Sequence, residues 1–197
     1  RTIKAEVVIS NGVIIAQDGE LLVEPRPAVF TGSELKKIRV SPDDFAIKVP
    51  RKDALKVRVM DQVTELVTKE AMLDLPAHNG ELKADPSKDI LKASVISCEG
   101  KIFTGLVRGQ GFRAGAMATS GAWETFATVV VGAGEADMAM AVNRIFEMGG
   151  GIVVCSEGKI QAELALPVAG LMSNQRIEEI VERLNHIQAK AKALGFR

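Results

Sequence analysis

Four times along the chain a residue pair closing in glycine separates short apolar runs: Asn11-Gly12, Asp18-Gly19, Glu99-Gly100 and Glu157-Gly158. Glycine enters positive φ without a Cβ clash and Asn or Asp tolerates it, so such pairs reverse the chain between antiparallel strands. Short strands joined by tight turns are therefore what this chain must build first. EVVISNGVIIAQDGELLVE (6–24) reads as a small meander. ALKVRVMDQV (54–63) alternates with period two, ELVTKEAMLDLP (65–76) is apolar and tolerant of β structure, and ILKASVISCEGKIFTGLVRG (90–109) reads as a hairpin turning at Glu99-Gly100. From Pro25 to Pro50 the pattern fades into a long connection with one short helical turn near Ser41, which sets an expected boundary between 1–48 and 49–197.

Helical spacing enters only in the second half. In GEADMAMAVNRIFEMGGG (134–151), Met138, Ala141, Val142, Ile145 and Met148 form one stripe, Glu135 and Asp137 stand in the first turn where the helix dipole favours them, and Gly149–Gly151 stop the helix. A strand pair turning at Glu157-Gly158 follows, and SNQRIEEIVERLNHIQAKAKALGF (173–196) reads as an amphipathic helix with Ile177, Ile180, Val181, Leu184 and Ile187 on one face. The expected class is α+β: a mixed β-sheet domain with two main helices, preceded by a small β segment.

At 197 residues and 47% hydrophobic, the chain suits one domain, or one domain with a piece of another. Its 25 basic and 25 acidic side chains cancel, leaving no global field to gather phosphate backbones or anionic lipid, so neither nucleic acid nor membrane is an expected partner. No apolar run approaches the roughly 20 residues of a bilayer span, and RTIKAEVVIS lacks a signal-peptide core, so the expected compartment is the cytoplasm. Cys98 and Cys155 lie far apart inside strand-like runs, an arrangement that suits reduced, buried thiols. A start at Arg1, already in a strand-like run, suggests a piece of something longer.

The chemistry-bearing residues are few. Only His78 and His186 are available, too few for the clustered imidazole, thiolate and carboxylate ligands of a catalytic metal, and neither cysteine has the neighbours of a cytidine-deaminase zinc site. His78 sits in a turn-like PAHNGE and His186 on the polar side of the last helix. No G-x-S-x-G elbow supports a nucleophilic triad. GQGFRAGA (109–116) follows no βαβ unit and reads as a close backbone turn, and the triple glycine ends a helix where a phosphate loop would begin one. Arg144, with Asn143 and Glu147, falls opposite the apolar stripe, facing solvent or a partner domain, and its guanidinium is suited to clamping a carboxylate.

VRGQGFRAGAMATSGAW (107–123), GEADMAMAVNRIFEMGGGIVV (134–154) and LALPVAGLMS (164–173) together resemble the C-terminal domain of the adenine deaminases of the amidohydrolase superfamily. NGVIIAQDGELL (11–22), with the later SPDDFAI (41–47), resembles the last strands of that family's composite β domain and the linker out of its barrel. The resemblance implies a hydrolytic deaminase, turning adenine into hypoxanthine and ammonia, in which manganese or iron activates the attacking water. It implies that the metal ligands lie in the barrel, that no catalytic or metal residue belongs to this chain, and that the partners are the catalytic barrel of the same polypeptide, further copies in a homo-oligomer, and adenine or a related purine. Family members commonly carry Ala-His-Asp-Ser-His-Asn where this chain has Ala122-Trp123-Glu124-Thr125-Phe126-Ala127. Trp and Phe cannot ligate a metal or shuttle a proton. Two roles stay open: Trp123 and Phe126 stack on a planar heterocycle while Glu124 meets a ring N–H, or the aromatics pack in a core or interface, where such residues are most often found. Trp123, Glu124, Phe126 and Arg144 are thus the candidate substrate-proximal residues, and the alternative to an enzyme segment is a stand-alone, non-catalytic ligand-binding or oligomerisation domain.

Overall fold

The computed structural model describes residues 4–24, 35, 37–50, 54–122 and 127–196. The chain divides into two compact units, Arg1–Thr31 and Gly32–Arg197. In the first, β1 (Val7–Ser10), β2 (Val13–Gln17) and β3 (Glu20–Leu21) form an antiparallel meander. Both joining turns take the positive φ their sequence demands: Asn11 51° and Gly12 77°, then Asp18 52° and Gly19 89°.

The second unit begins with a single 3-10 turn at Pro42–Phe45, capped by Ser41 and Asp44 in a reciprocal capping box, at the place the sequence reading expects a helical turn. Its strands are β4 (Ile47–Lys48), β5 (Ala54–Gln62), β6 (Thr68–Pro76), β7 (Glu81–Leu82), β8 (Ile90–Ile96), β9 (Ile102–Arg108), β10 (Ala116–Ala122), β11 (Ala127–Gly132), β12 (Gly151–Ser156) and β13 (Lys159–Ala165). Helix α1 (Glu135–Glu147) links β11 to β12, and α2 (Ile177–Ala193) closes the chain. Eight of these strands form one sheet in the order β13-β12-β10-β11-β8-β9-β5-β6, antiparallel throughout except where β9 meets β5 in parallel. The expected α+β class, with a large mixed sheet and two main helices, is what the chain builds.

The helices lie on opposite faces of the sheet. α1 buries Met138, Ala141, Val142 and Ile145 completely against Ala116, Ala118, Val130, Val153 and Cys155, as its stripe predicts. Residues of the connection join this core: Val40 and Phe45 are buried against α1. On the other face α2 packs Ile187 and Ala191 over Val154, Ala162 and Leu164. Among the described residues no helix is long and apolar enough to cross a membrane.

Two sequence expectations need correction, and one strand has no counterpart in the sequence reading. The five apolar residues assigned to one face of α2 do not share one environment: Ile187 is buried and Ile180 partly so, but Ile177, Val181 and Leu184 are 65%, 48% and 41% exposed. Periodicity locates an apolar arc, and the sheet covers only one edge of it. Cys98 is exposed, because the β8–β9 turn spans Ser97–Gly100 with Gly100 N–H donating to the Ser97 carbonyl, which places Cys98 in the turn itself. Only Cys155 fits the expected buried thiol. Finally, β10 was not legible as a strand, since four of the seven residues of AMATSGA are Ala or Gly with weak β preference, held in place by pairing with β11 and β12 on its two sides.

Candidate functional site

The motifs that carry the sequence resemblance converge at one corner of the sheet. Near the end of β10, the buried Ser120 hydroxyl accepts the Gly151 N–H at 2.8 Å and donates to the Gly170 carbonyl at 2.6 Å. One side chain thereby ties together the MATSGA, GGG and PVAGLMS segments. Gly150 has φ of 126°, and a Cβ there would stand 2.4 Å from Gly170 Cα and 2.6 Å from the Leu166 carbonyl, so backbone meets backbone where no side chain fits. Two residues beyond Ser120, Ala122 pairs with Ala127 across the β10–β11 register. The candidate residues between them, Trp123, Glu124 and Phe126, lie outside the described residues.

Arg144 is described, and its environment is specific. Nε and Nη2 donate to the two carboxylate oxygens of Glu163 on β13 at 2.7 and 2.8 Å, and Nη1 reaches Glu147 at 3.4 Å. The hydrogen bonds from Arg144 hold the Glu163 carboxyl below its usual range against the opposing effect of burial, and Glu163 in turn raises the guanidinium further. The fork that a ligand carboxylate would take is filled by Glu163. Next to it, Asn143 mimics a backbone partner: Oδ1 accepts the Val40 N–H and Nδ2 donates to the Val40 carbonyl, both at 2.9 Å. Beside this pair opens a cavity of about 330 Å³ lined by Lys37, Ile38, Arg39, Asn143, Phe146 and Glu147.

A second ionic cluster escaped the sequence reading. Lys92, on a core-facing position of β8, is 1% exposed, yet its ammonium reaches Glu135 at 2.7 Å, the Phe45 carbonyl at 3.0 Å and Glu81 at 3.2 Å. Lys83 bridges the same two carboxylates. Burial alone would raise the Glu135 carboxyl; hydrogen bonds from Lys92, the backbone and Lys83 outweigh it and hold the group at about 2. The available signal was positional: period two places Lys92 on the face of Ile90, Ser94 and Ile96, where a lysine survives only with partners. Glu135, read from sequence as a favourable charge at a helix start, is chiefly one of those partners.

The glycine-rich 109–116 segment is the close backbone turn expected. Gly109 (φ 101°) abuts Gln62, Gly111 N–H donates to Asp89 at 2.7 Å, Phe112 is buried, and a Cβ on Gly115 would lie 2.3 Å from the Cys155 carbonyl. Burial first, then Asp137 and Glu163, push the Cys155 thiol up to about 12, so it is a packing group without thiolate character. His78 sits beside the Asn79-Gly80 turn, and His186 is exposed on α2. Among the described residues no three His, Cys, Asp or Glu side chains are grouped so as to hold a metal ion; these residues offer no ligand set for the ion that the resemblance implies.

A sequence model of the family described as the adenine deaminase C-terminal domain matches residues 65–197. The chain belongs to that family. An adenine deaminase of Clostridium botulinum (strain Langeland) is 34% identical over 203 residues, an alignment covering 99% of this chain and 34% of that protein. One from Kosmotoga olearia is 33% identical, covering 98% and 34%, and one from Methylobacterium nodulans 38% identical, covering 86% and 30%. This member of the adenine deaminase C-terminal family thus spans about a third of the length of the curated relatives it matches. The family match takes in β6 through α2 and every residue of the Ser120 corner.

Proposed function

We propose that this chain is the C-terminal region of an adenine deaminase-like hydrolase that converts adenine to hypoxanthine and ammonia. The observation that carries the reading is the family match over residues 65–197, alongside relatives named adenine deaminase that align with nearly the whole chain. The chemistry needs a water made nucleophilic and a departing nitrogen that receives a proton, and manganese or iron would supply the first. With no fitting ligand set among the described residues, those steps are assigned to a catalytic barrel elsewhere in the polypeptide. This region supports that barrel and a homo-oligomer, and brings Ala122–Ala127, with Trp123, Glu124 and Phe126, toward the purine. The fixed Ser120 corner supports this placement, because a strand end held rigidly up to Ala122 fixes the point from which the 123–126 stretch departs. The two free thiols are in keeping with a cytoplasmic setting.

The test is the native protein captured from its source cells with an antibody to this chain. A protein about three times heavier than 21.1 kDa, with stoichiometric transition metal and adenine-dependent release of hypoxanthine and ammonia, is the expected result. A metal-free protein of 21.1 kDa that binds purine without turnover would replace it with a stand-alone binding domain, the reading favoured by the aromatic residues in the 123–126 stretch.

A further inference from the structure

The two faces of the eight-stranded sheet are covered unequally. α1 and the Pro42–Phe45 turn occupy one face. On the other, α2 packs on β12 and β13, while Phe112, Leu194 and Phe196 close over Leu91, Val107 and Val131. Beyond these runs a row of directly paired residues, one from each of five adjacent strands: Ile152, Thr119, Val129, Val95 and Phe103. Residues paired this way share a face, and Ile152 packs in the α2 core, so the whole row lies on the α2 side. Exposure rises along it, from partly buried at the first three to 39% at Val95 and 74% at Phe103.

The exposed flank of α2 borders this row. At 100° per residue, Ile180 and Ile187 point at the sheet; Arg183 and His186, which share a cavity with Glu163 of the edge strand, lie to one side; Ile177, Val181 and Leu184 lie to the other, toward the uncovered strands. The result is a trough with an uncharged floor and an apolar helical wall. Its five strands span about 19 Å, room for a helix of about 10–12 Å beside α2.

We infer that this face seats the catalytic body of the same polypeptide, an inference that rests on the functional reading above. Two observations choose the occupant. The matched relatives hold some two thirds of their length outside the aligned region, a body joined to this region in one polypeptide and so held at high effective concentration beside it. The row also lies three residues from Ala122 on β10 and two from Ala127 on β11, the residues that flank the stretch assigned to the purine, so a body carrying the substrate approaches from this end of the strands. Phe103, the most exposed residue at the far end of the row, is the anchor, the one aromatic among Ile, Thr and Val, of the kind that dominates interface energetics.

Hydroxyl-radical footprinting of the wild-type protein at its native length, over a range of concentrations and read by mass spectrometry, tests this without substitution. Leu66, 94% exposed in the turn after β5, is the internal reference. Corrected for intrinsic reactivity, Phe103 is expected to oxidise an order of magnitude more slowly than Leu66 at every concentration. Phe103 reacting like Leu66 would overturn the assignment, and so would protection that appears only on association, which would give the face to a second copy. Protection of Phe103 in a protein that does not deaminate adenine would keep the intramolecular seat and reject the functional reading; adenine turnover with a reactive Phe103 would do the reverse.

Discussion

Gly150 shows how single residues decide this structure. Its φ of 126° and the 2.4 Å that would separate an added methyl group from Gly170 Cα leave no relaxation route, because the methyl would meet backbone on both sides. Gly150→Ala is expected to destabilise the protein by at least about 2 kcal/mol, measured by denaturant unfolding, through positive φ plus backbone displacement. Ser120 pairs with the same corner, so the cost should be partly shared with Ser120→Ala, and a double mutant should fall short of additivity. Trp123 poses a different question. Trp123→Ala in the native-length enzyme raises KM for adenine if the ring stacks on substrate and lowers Tm if it packs; a change in neither would remove both roles. The residue type was legible in the sequence, and the missing histidines were too, but neither says which surface the ring meets.

At the scale of elements, α1 and α2 contrast. Both carry apolar periodicity, yet α1 buries Met138, Ala141, Val142 and Ile145 fully and Met148 in part, while α2 buries only Ile187, Ala191 and, in part, Ile180. Ile187→Ala should therefore cost about 2–4 kcal/mol, the combined loss of transfer energy and the cavity left behind, whereas Ile177→Ala in the 197-residue chain should change stability by less than about 0.5 kcal/mol. Equal losses in urea melts would mean that α2 is rotated from the orientation described. The strands divide similarly. Those with alternation or a glycine turn, β1, β2, β3, β5, β8, β9, β12 and β13, could be read directly. β10 could not, since its Ala, Thr, Ser and Gly residues gain their strand geometry from two neighbours far apart in sequence.

For the whole molecule, the cluster of Lys92, Lys83, Glu81 and Glu135 joins β7 and β8 to α1 and makes stability depend on acid. The Glu135 carboxyl titrates near 2 when folded and near its ordinary 4.5 when unfolded, so the unfolded chain binds the proton first on acidification. Its contribution is present above about pH 4.5 and is lost as pH falls toward 2. Unfolding free energy should fall through that window in the wild type and fall less steeply in Glu135→Gln; parallel profiles would show that the pair contributes nothing. Lys92→Met should be more damaging at neutral pH, about 3 kcal/mol, since it leaves two carboxylates at the rim of the core facing Lys83 alone.

What the sequence by itself determined was local: the glycine turns, the period-two strands, the helical stripe of α1, the neutral charge, and the family to which these motifs belong. Each depends on residues within a few positions of one another, where backbone sterics and side-chain periodicity act directly. Tertiary structure alone decided the strand order, with β10 between β11 and β12, the partners of Lys92, the closure of Arg144 on Glu163, and which edge of α2 is buried. Those outcomes depend on contacts between residues far apart in sequence, such as Asn143 with Val40, 103 positions away, and no local preference encodes which surface a side chain will meet once the sheet has closed.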